Sequence, residues 1–239
     1  MRNRIDPAVP PPLGRIAAVL VGRALPYTRE NTFSAIAKVV VDGPVHIGVL
    51  GLEGDEQGDP RVHGGPDKAV HHYPFDHYAA WRTELGDHAL LERPGAFGEN
   101  FSTSGIAEDA ICLGDLVRAG SAVLEVSQPR QPCWKLADRF GLPKMPRLVQ
   151  DRLRTGWYYR VLEAGRVAAG DSLTLLERPL PGWPIRTLVE LLYKKSLDRD
   201  LLREAATLPL PPSWHKLVAG RLARGSVEDW SSRLDGPAR

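Results

Sequence analysis

The stretch ICLGDLVRAGSAVLEVSQPRQPC, residues 111–133, holds two short strand-like segments, Ile111–Val117 and Ala122–Val126, followed by a loop that ends on a cysteine. Both segments are rich in aliphatic and β-branched residues and bounded by glycine, the pattern of short sheet strands. In the first, Ala110, Cys112 and Gly114 alternate with Ile111 and Leu113, so Cys112 reads as strand core. Two prolines in the six residues Ser127–Pro132 make the loop stiff. Cys133 follows, with Arg130 and Lys135 close by. Positive charge beside a thiol favours the thiolate, the form that ligates metals or attacks electrophiles. The ordinary alternative is a buried, inert cysteine.

The same strand-like pattern recurs on both sides. Towards the N-terminus it covers Ile16–Val21, Ala35–Val41 and Val45–Leu50, and Asp42-Gly43-Pro44 is expected to turn the last two into a hairpin. Towards the C-terminus it covers Tyr158–Val161 and Ser172–Leu176. Pro74 suits the first turn of a helix with Phe75, Tyr78, Trp81 and Leu85 on its apolar side and Gly86 at its end. Two further helices are expected around Trp134–Phe140 and Arg147–Leu153. Many short strands separated by Gly-containing turns predict a mainly β fold, a barrel or sandwich with helical insertions.

The stiff linker Pro179-Leu-Pro-Gly-Trp-Pro184 marks a change of composition. Beyond it Thr187 and Glu190 form a capping-box pair, Asp198–Ala206 and Ser213–Ala223 read as helices, and Ser226 caps a last turn through Trp230. The expected organisation is a Pro-rich lead-in over 1–14, a β domain over 15–178 and a three-helix subdomain over 185–236. The last is too small to be stable without docking on the first.

Composition narrows the function classes. At 239 residues, 43% hydrophobic and 25% charged, the chain suits one large domain plus a small one. Its longest clean apolar run, Ile16–Val21, is far below the ~20 residues a bilayer demands. Asp6 and the prolines at 7, 10, 11 and 12 interrupt any leader-like opening. No membrane role is expected, and two cysteines without a disulfide framework suit a reducing cytoplasm. The net charge of +2 and a surplus of only +3 over 182–239 argue against nucleic-acid binding. Between Gln128 and Arg154, by contrast, seven Lys and Arg face two Asp.

Other segments could carry chemistry. Gly51–Asp67 contains five glycines and clustered acids, and runs into His63-Gly64-Gly65-Pro-Asp-Lys68. Adjacent glycines can wrap an anion through backbone N–H groups, although a tight turn is the commoner role. His63, His71, His72 and His77 match no standard zinc spacing, and His71 and His72 read as hydrogen-bonding residues at a helix start. In Gly95-Ala-Phe-Gly-Glu99-Asn100, the carboxylate and amide suit either a turn or the edge of a heterocycle.

Three segments together, Leu50–Gln57 running to His63–Lys68, Phe97–Asn100 and Ser127–Cys133, resemble the MOSC family, named for the molybdenum cofactor sulfurase C-terminal domain. More narrowly they resemble its stand-alone bacterial branch that reduces 6-N-hydroxylaminopurine and carries a three-helix C-terminal domain. The resemblance implies a β-barrel that binds a pyranopterin molybdenum cofactor, with Cys133 as the protein sulfur ligand to Mo. A thiolate is a suitable soft ligand for such a centre, and Arg and Lys suit the cofactor phosphate. Carried over in the same way, the cofactor-binding residues are Arg29, Lys38, His63, Gly64, Gly65, Lys68, Glu99, Asn100, Ser127 and Arg130.

The resemblance further implies two-electron reduction of a small N-hydroxylated substrate to the amine, detoxifying base analogues. An external electron-donor reductase would be needed, because two cysteines cannot hold a four-thiolate iron–sulfur cluster. A homodimer is the family expectation. The alternatives are a molybdenum cofactor carrier or sulfur-delivery protein without its own turnover, and a hydrolase pairing Cys133 with His63 or His71.

Overall fold

The computed structural model describes residues 12–237, so most of the Pro-rich lead-in lies outside the described residues. Seven strands form the central barrel: β1 (Gly14–Val21), β2 (Val70–Pro74), β3 (Phe101–Ser104), β4 (Leu116–Ala119), β5 (Ala122–Pro129), β6 (Trp157–Glu163) and β7 (Ser172–Glu177). Their order is β7-β4-β5-β6-β2-β3-β1, and pairing of Gly14 with Leu173 returns β1 to β7 and closes the ring. Neighbours are antiparallel except β2 and β3, which run parallel. A parallel pair needs a long crossover, and the chain supplies one containing the helix Asp76–Leu85. Its C-cap is Gly86, at φ 74°.

β5 is buried along nearly its whole length, including Val123, Leu124 and Val126. One of its faces belongs to the barrel interior and the other is covered, which explains its near-continuous apolar run. Ile16, Leu124, Val126 and Trp157 belong to one continuous core with Leu188, Leu192, Trp214 and Val218 of the C-terminal helices. The C-terminal unit therefore docks by sharing the barrel's apolar core, each fully buried Leu or Val contributing ~1.5–3 kcal/mol. A second core joins Tyr78 and Trp81 to Leu136, Phe140, Met145 and Val149 of two helices, Lys135–Phe140 and Met145–Asp151, inserted between β5 and β6.

Several expectations are corrected. The hairpin around Gly43 does not form: Val39–Val40 pairs with β1, whereas Val45–Gly48 pairs with Gly165–Val167 and Gly51–Leu52. Pro74 ends β2 rather than opening a helix, so His71 and His72 lie within a strand. Cys112 lies outside the strands, because the sheet begins only at Leu116, and Cys112 makes just an isolated bridge to Pro184.

The capping box at Thr187 is absent. Its helix, Ile185–Tyr193, starts earlier with Pro184 as N-cap, and the Thr187 N–H donates to the Pro184 carbonyl. Asp198 does cap Arg199–Ala205, accepting from the N–H groups of Asp200 and Leu201. The long helix is Pro212–Arg224, and the last turn falls at Ser231–Leu234 rather than after Ser226. Arg221, 1% exposed, donates to the carbonyls of Leu191 and Leu192 and pairs with Glu228. It thereby adds a charge-assisted bond to each of two carbonyls at the end of the first C-terminal helix, which also accept from the Ser196 and Lys195 N–H groups.

Candidate functional site

β5 carries a bulge: Val126 faces Tyr159, but Gln128 faces Tyr158. The extra residue, Ser127, and the next, Gln128, both donate to the Asp67 carbonyl, at 2.7 Å from Oγ and 3.0 Å from Nε2. Bulges re-aim the chain near functional sites. Here the bulge stitches the glycine-rich loop to β5 directly before the stiff segment leading to Cys133. The short helix Pro60–His63 and the turn Pro66–Lys68 are thus held against that segment. Gly58 allows a third approach: a Cβ there would lie 2.1 Å from the Phe33 carbonyl oxygen, so only glycine fits.

Two connected spaces result. An open outer cleft of about 830 Å³ is lined by Asn31, Phe33, Gln131, Trp134 and Arg233. A smaller inner pocket of about 90 Å³ is lined by Lys38, Asp55, His71, Asn100 and Arg130. Gly58, His63, Lys68, Cys133, Lys135 and Tyr158 border both. Cys133 therefore stands at the junction.

The thiol is 7% exposed. Burial alone would raise its pKa, but a hydrogen bond from His63, the charges of His63 and Arg130, and the Lys135 backbone N–H outweigh it and bring the pKa down to about 6. A pKa of about 6 favours the thiolate form of Cys133 at neutral pH. Lys38, buried in the inner pocket, is pushed down by burial, with Asp55 pulling it back up through an ion pair.

The inner pocket holds two buried polar atoms without a protein partner, Arg130 Nη1 and His71 Nε2. Such orphans are rare in native proteins and call for a ligand or water. His71 Nδ1 lies 3.2 Å from the Gly98 carbonyl, which can only accept, so Nδ1 carries the proton and Nε2 is a bare acceptor. Burial, then Arg130, holds His71 well below the usual histidine range, so it stays neutral. A thiolate, an uncommitted guanidinium N–H, a bare imidazole nitrogen and three lysines fit a sulfur-ligated anionic heterocycle with a phosphate.

The structure sorts the sequence candidates. Cys133, Lys38, His63, Lys68, Asn100 and Arg130 face one or both spaces. Asn100 also joins strands: its Oδ1 accepts from His71 N at 3.0 Å and its Nδ2 donates to Asp55 at 2.8 Å. Glu99 is turned away, because its carboxylate accepts from Tyr78 and from the N–H groups of Gly95 and Phe97. Ser127 is fully buried and committed to the stitch. Gly64 packs on Pro60, and Gly65, at φ 91°, opens the turn before Lys68.

Arg29 is also placed elsewhere. It pairs with Asp138, stacks 4.1 Å from the Trp134 ring and donates to the Asp235 carbonyl, and it lines neither space itself. The basic run after Gln128 disperses as well: Arg139 binds the Gly95 and Ala96 carbonyls, Arg147 pairs with Asp235, and Arg152 and Arg154 pair with Glu84. The histidines do not gather, and among the described residues no group of three His, Cys, Asp or Glu could hold a metal ion. His72 instead stacks on Trp157 at 3.8 Å, and His77 pairs with Glu108.

Sequence reading missed Tyr158, the unpartnered Nε2 of His71 and Arg233. Tyr158 lies on β6 opposite His71, a register invisible before the barrel closes. Residues 59–174 match the MOSC domain, and residues 183–225 match the YiiM-like, 3-alpha helix domain. The chain is 39% identical to protein YiiM of Escherichia coli K12, covering 97% of that protein and 91% of its own length.

The chain belongs to the MOSC-domain family.

Among solved structures, YiiM from Escherichia coli superposes with a TM-score of 0.78 at 32% identity, covering 93% of this chain and 99% of that one. YiiM from Geobacillus stearothermophilus gives 0.74 at 34% identity, covering 87% and 99%. A Gibberella moniliformis protein named reductase is 37% identical over 92% of this chain, which spans 39% of that longer protein. The MOSC barrel described here thus comes with the YiiM type of C-terminal domain. No helix among the described residues is long and apolar enough to cross a membrane.

Proposed function

We propose that this MOSC protein is a molybdenum-cofactor-dependent reductase of N-hydroxylated compounds such as 6-N-hydroxylaminopurine. The observation that carries the reading is the Cys133 thiolate at the junction of a large open cleft and a small basic pocket with uncommitted polar atoms. Cys133 would hold the metal through sulfur, Arg130 and the neighbouring lysines would neutralise the anionic cofactor, and His71 Nε2 would accept from a ring N–H. When bound, the cofactor supplies the two-electron redox chemistry, with electrons from an external donor protein.

The overall conversion takes R–NHOH, two electrons and two protons to R–NH2 and water. Phe33 and Trp134 offer aromatic faces and Asn31 and Gln131 offer amides to a heterocyclic substrate in the outer cleft. His63 borders that cleft and hydrogen-bonds Cys133, and in this reading it would hand a proton to the departing hydroxyl. The Cys133–His63 contact also favours a second reading, a metal-free thiol nucleophile activated by histidine.

The test is molybdenum content per chain from a cofactor-competent host, combined with reduction of 6-N-hydroxylaminopurine to adenine by a chemical donor. Near-stoichiometric Mo and turnover, both lost in Cys133→Ser, support the reductase. A parent without Mo that hydrolyses a model thioester would transfer the assignment to the thiol nucleophile.

A further inference from the structure

The C-terminal helices, together with the short turn Ser231–Leu234 that follows them, contact the Cys133 loop at three successive points. Tyr193 Oη, from the first of these helices, donates to the Arg130 carbonyl at 3.1 Å. Arg233, from the short turn, donates through Nη1 to the Pro132 carbonyl. The Trp134 N–H donates to the Arg233 carbonyl at 2.9 Å. One residue of the C-terminal domain therefore bonds both neighbours of Cys133. Its other arm, Nη2, donates to Gln150 Oε1 at 2.7 Å, so the same guanidinium also braces the helix Met145–Asp151.

We propose that the C-terminal domain is a clamp for the thiolate, and that Arg233 is its positioning residue, fixing where Cys133 Sγ stands between the outer cleft and the inner pocket. The stiffness supplied by Pro129 and Pro132 limits how the loop bends but does not say where it sits. A proline-rich segment has few N–H groups to tie it into a sheet, so its carbonyls must be held from outside. Arg233 and Tyr193 do that for the carbonyls of Pro132 and Arg130. A planar guanidinium with several donors in fixed directions suits such bridging better than an ammonium would. Arg233 also lines the outer cleft, together with Ser213 and Ser232 of the same domain, so the clamp is one wall of the space that would take substrate. The role as a positioning residue for turnover rests on the reductase reading, whereas the clamping of the thiol does not.

The experiment compares the parent with Arg233→Met, which keeps the aliphatic stem and the backbone carbonyl but removes the guanidinium. Two readouts are taken on the full chain. The first is molybdenum per chain and kcat against KM for 6-N-hydroxylaminopurine, in protein from a cofactor-competent host. The second is the rate of Cys133 alkylation by iodoacetamide at one fixed pH, in protein from a host that cannot make the cofactor, with Cys112 in the same sample as reference. Loss of an outer-shell partner typically costs 10–100-fold, so Mo retention or kcat should fall by about tenfold or more. The Cys133 alkylation rate should change several-fold while the Cys112 rate stays near the parent's and far-ultraviolet circular dichroism shows the variant folded.

A Cys133 alkylation rate equal to the parent's, in a folded variant, overturns the clamp whether or not the protein reduces anything. Altered Cys133 alkylation in Arg233→Met, beside a parent that carries no Mo even from the cofactor-competent host, keeps the clamp and removes the reductase reading. Should Arg233→Met not fold, Tyr193→Phe carries the test. It removes one hydroxyl from the same loop, a smaller shift in Cys133 alkylation is expected, and an unchanged rate overturns the proposal.

Discussion

The chain contains two buried thiols, and the regions around them are electrostatic opposites. Cys112 is 2% exposed and Cys133 is 7% exposed, so burial hardly separates them. At Cys112, burial and the neighbouring Asp115 carboxylate both raise the thiol pKa, and the Arg178 charge only partly offsets them. The Cys112 backbone N–H donates to Asp115 at 2.8 Å, and its sulfur faces the Pro181 carbonyl, another acceptor. At Cys133 the same burial is overcome by His63, Arg130 and a backbone N–H, and the pKa falls to about 6. Burial alone does not decide the state of a thiol; the sign of what touches it does.

Removing the sulfur at each place tests the contrast most directly. Cys133→Ser should abolish molybdenum retention and turnover, a loss exceeding the ~100-fold seen on losing an outer-shell partner. Far-ultraviolet circular dichroism should remain that of the parent, because Cys133 belongs to neither hydrophobic core cluster. Full activity in this variant would dissolve the difference between the two regions.

The acid that sets the character of the Cys112 region has a structural task. Asp115 is fully buried and holds Arg178 through contacts of 2.7–3.1 Å. Asp115→Ala should destabilise the protein by about 2–3 kcal/mol, read from urea unfolding, because several charge-assisted bonds vanish together. It should also lower the Cys112 pKa and speed its alkylation, with Cys133 unaffected. Fast Cys112 alkylation in the parent would mean that Asp115 does not suppress this thiol.

At the other thiol, His63→Leu removes the hydrogen bond and the nearby imidazole that favour the thiolate. In cofactor-free protein, Cys133 alkylation should titrate with a midpoint near 6 in the parent. In the variant, burial is less fully opposed, so the midpoint should move up by about one to two units. Alkylation at mildly acidic pH would then slow, while at alkaline pH the two proteins would converge. A midpoint that stays put would assign the thiolate to Arg130 and the backbone instead.

The two regions also differ in how far sequence could read them. The basic neighbours of Cys133, Arg130 and Lys135, lie within three residues of it, and the stiff loop is written in its prolines. β1, β5, β6 and β7 were legible because β-branched runs bounded by glycine have few other uses, whereas β2 and β3 were not read as strands. What was not legible depends on closure of the barrel. Tyr158 and Arg233 come from distant segments, and only β2–β6 pairing and the docked helices bring them to the Cys133 loop. Arg29 and Glu99 misled for a related reason. A charged residue in a loop can serve a ligand or its own loop, and the choice depends on Trp134 and the Asp235 carbonyl for one and on the Gly95–Phe97 N–H groups for the other. Cys112 looked like strand core because alternation continues through Ile111–Leu113, but the Asp115 carboxylate takes the Cys112 N–H that a strand partner would need.

Cys112→Ser gives the smallest expected effect and the strictest control on the contrast. The sulfur lies 3.8 Å from the Pro181 carbonyl, a weak contact with the linker that leads into the C-terminal domain. A serine hydroxyl is smaller and a better donor, so it can turn towards the same carbonyl and recover most of what its burial costs. The net change should be within about 1 kcal/mol, read as a small shift of the urea midpoint at unchanged slope. Molybdenum content, turnover and the Cys133 alkylation profile should match the parent. A loss of molybdenum here would be informative because the two thiols share no contact: it would mean that the linker at Pro181 transmits strain through the C-terminal helices to Arg233. The asymmetry between the two regions would then be a property of the domain junction rather than of the charges beside each sulfur.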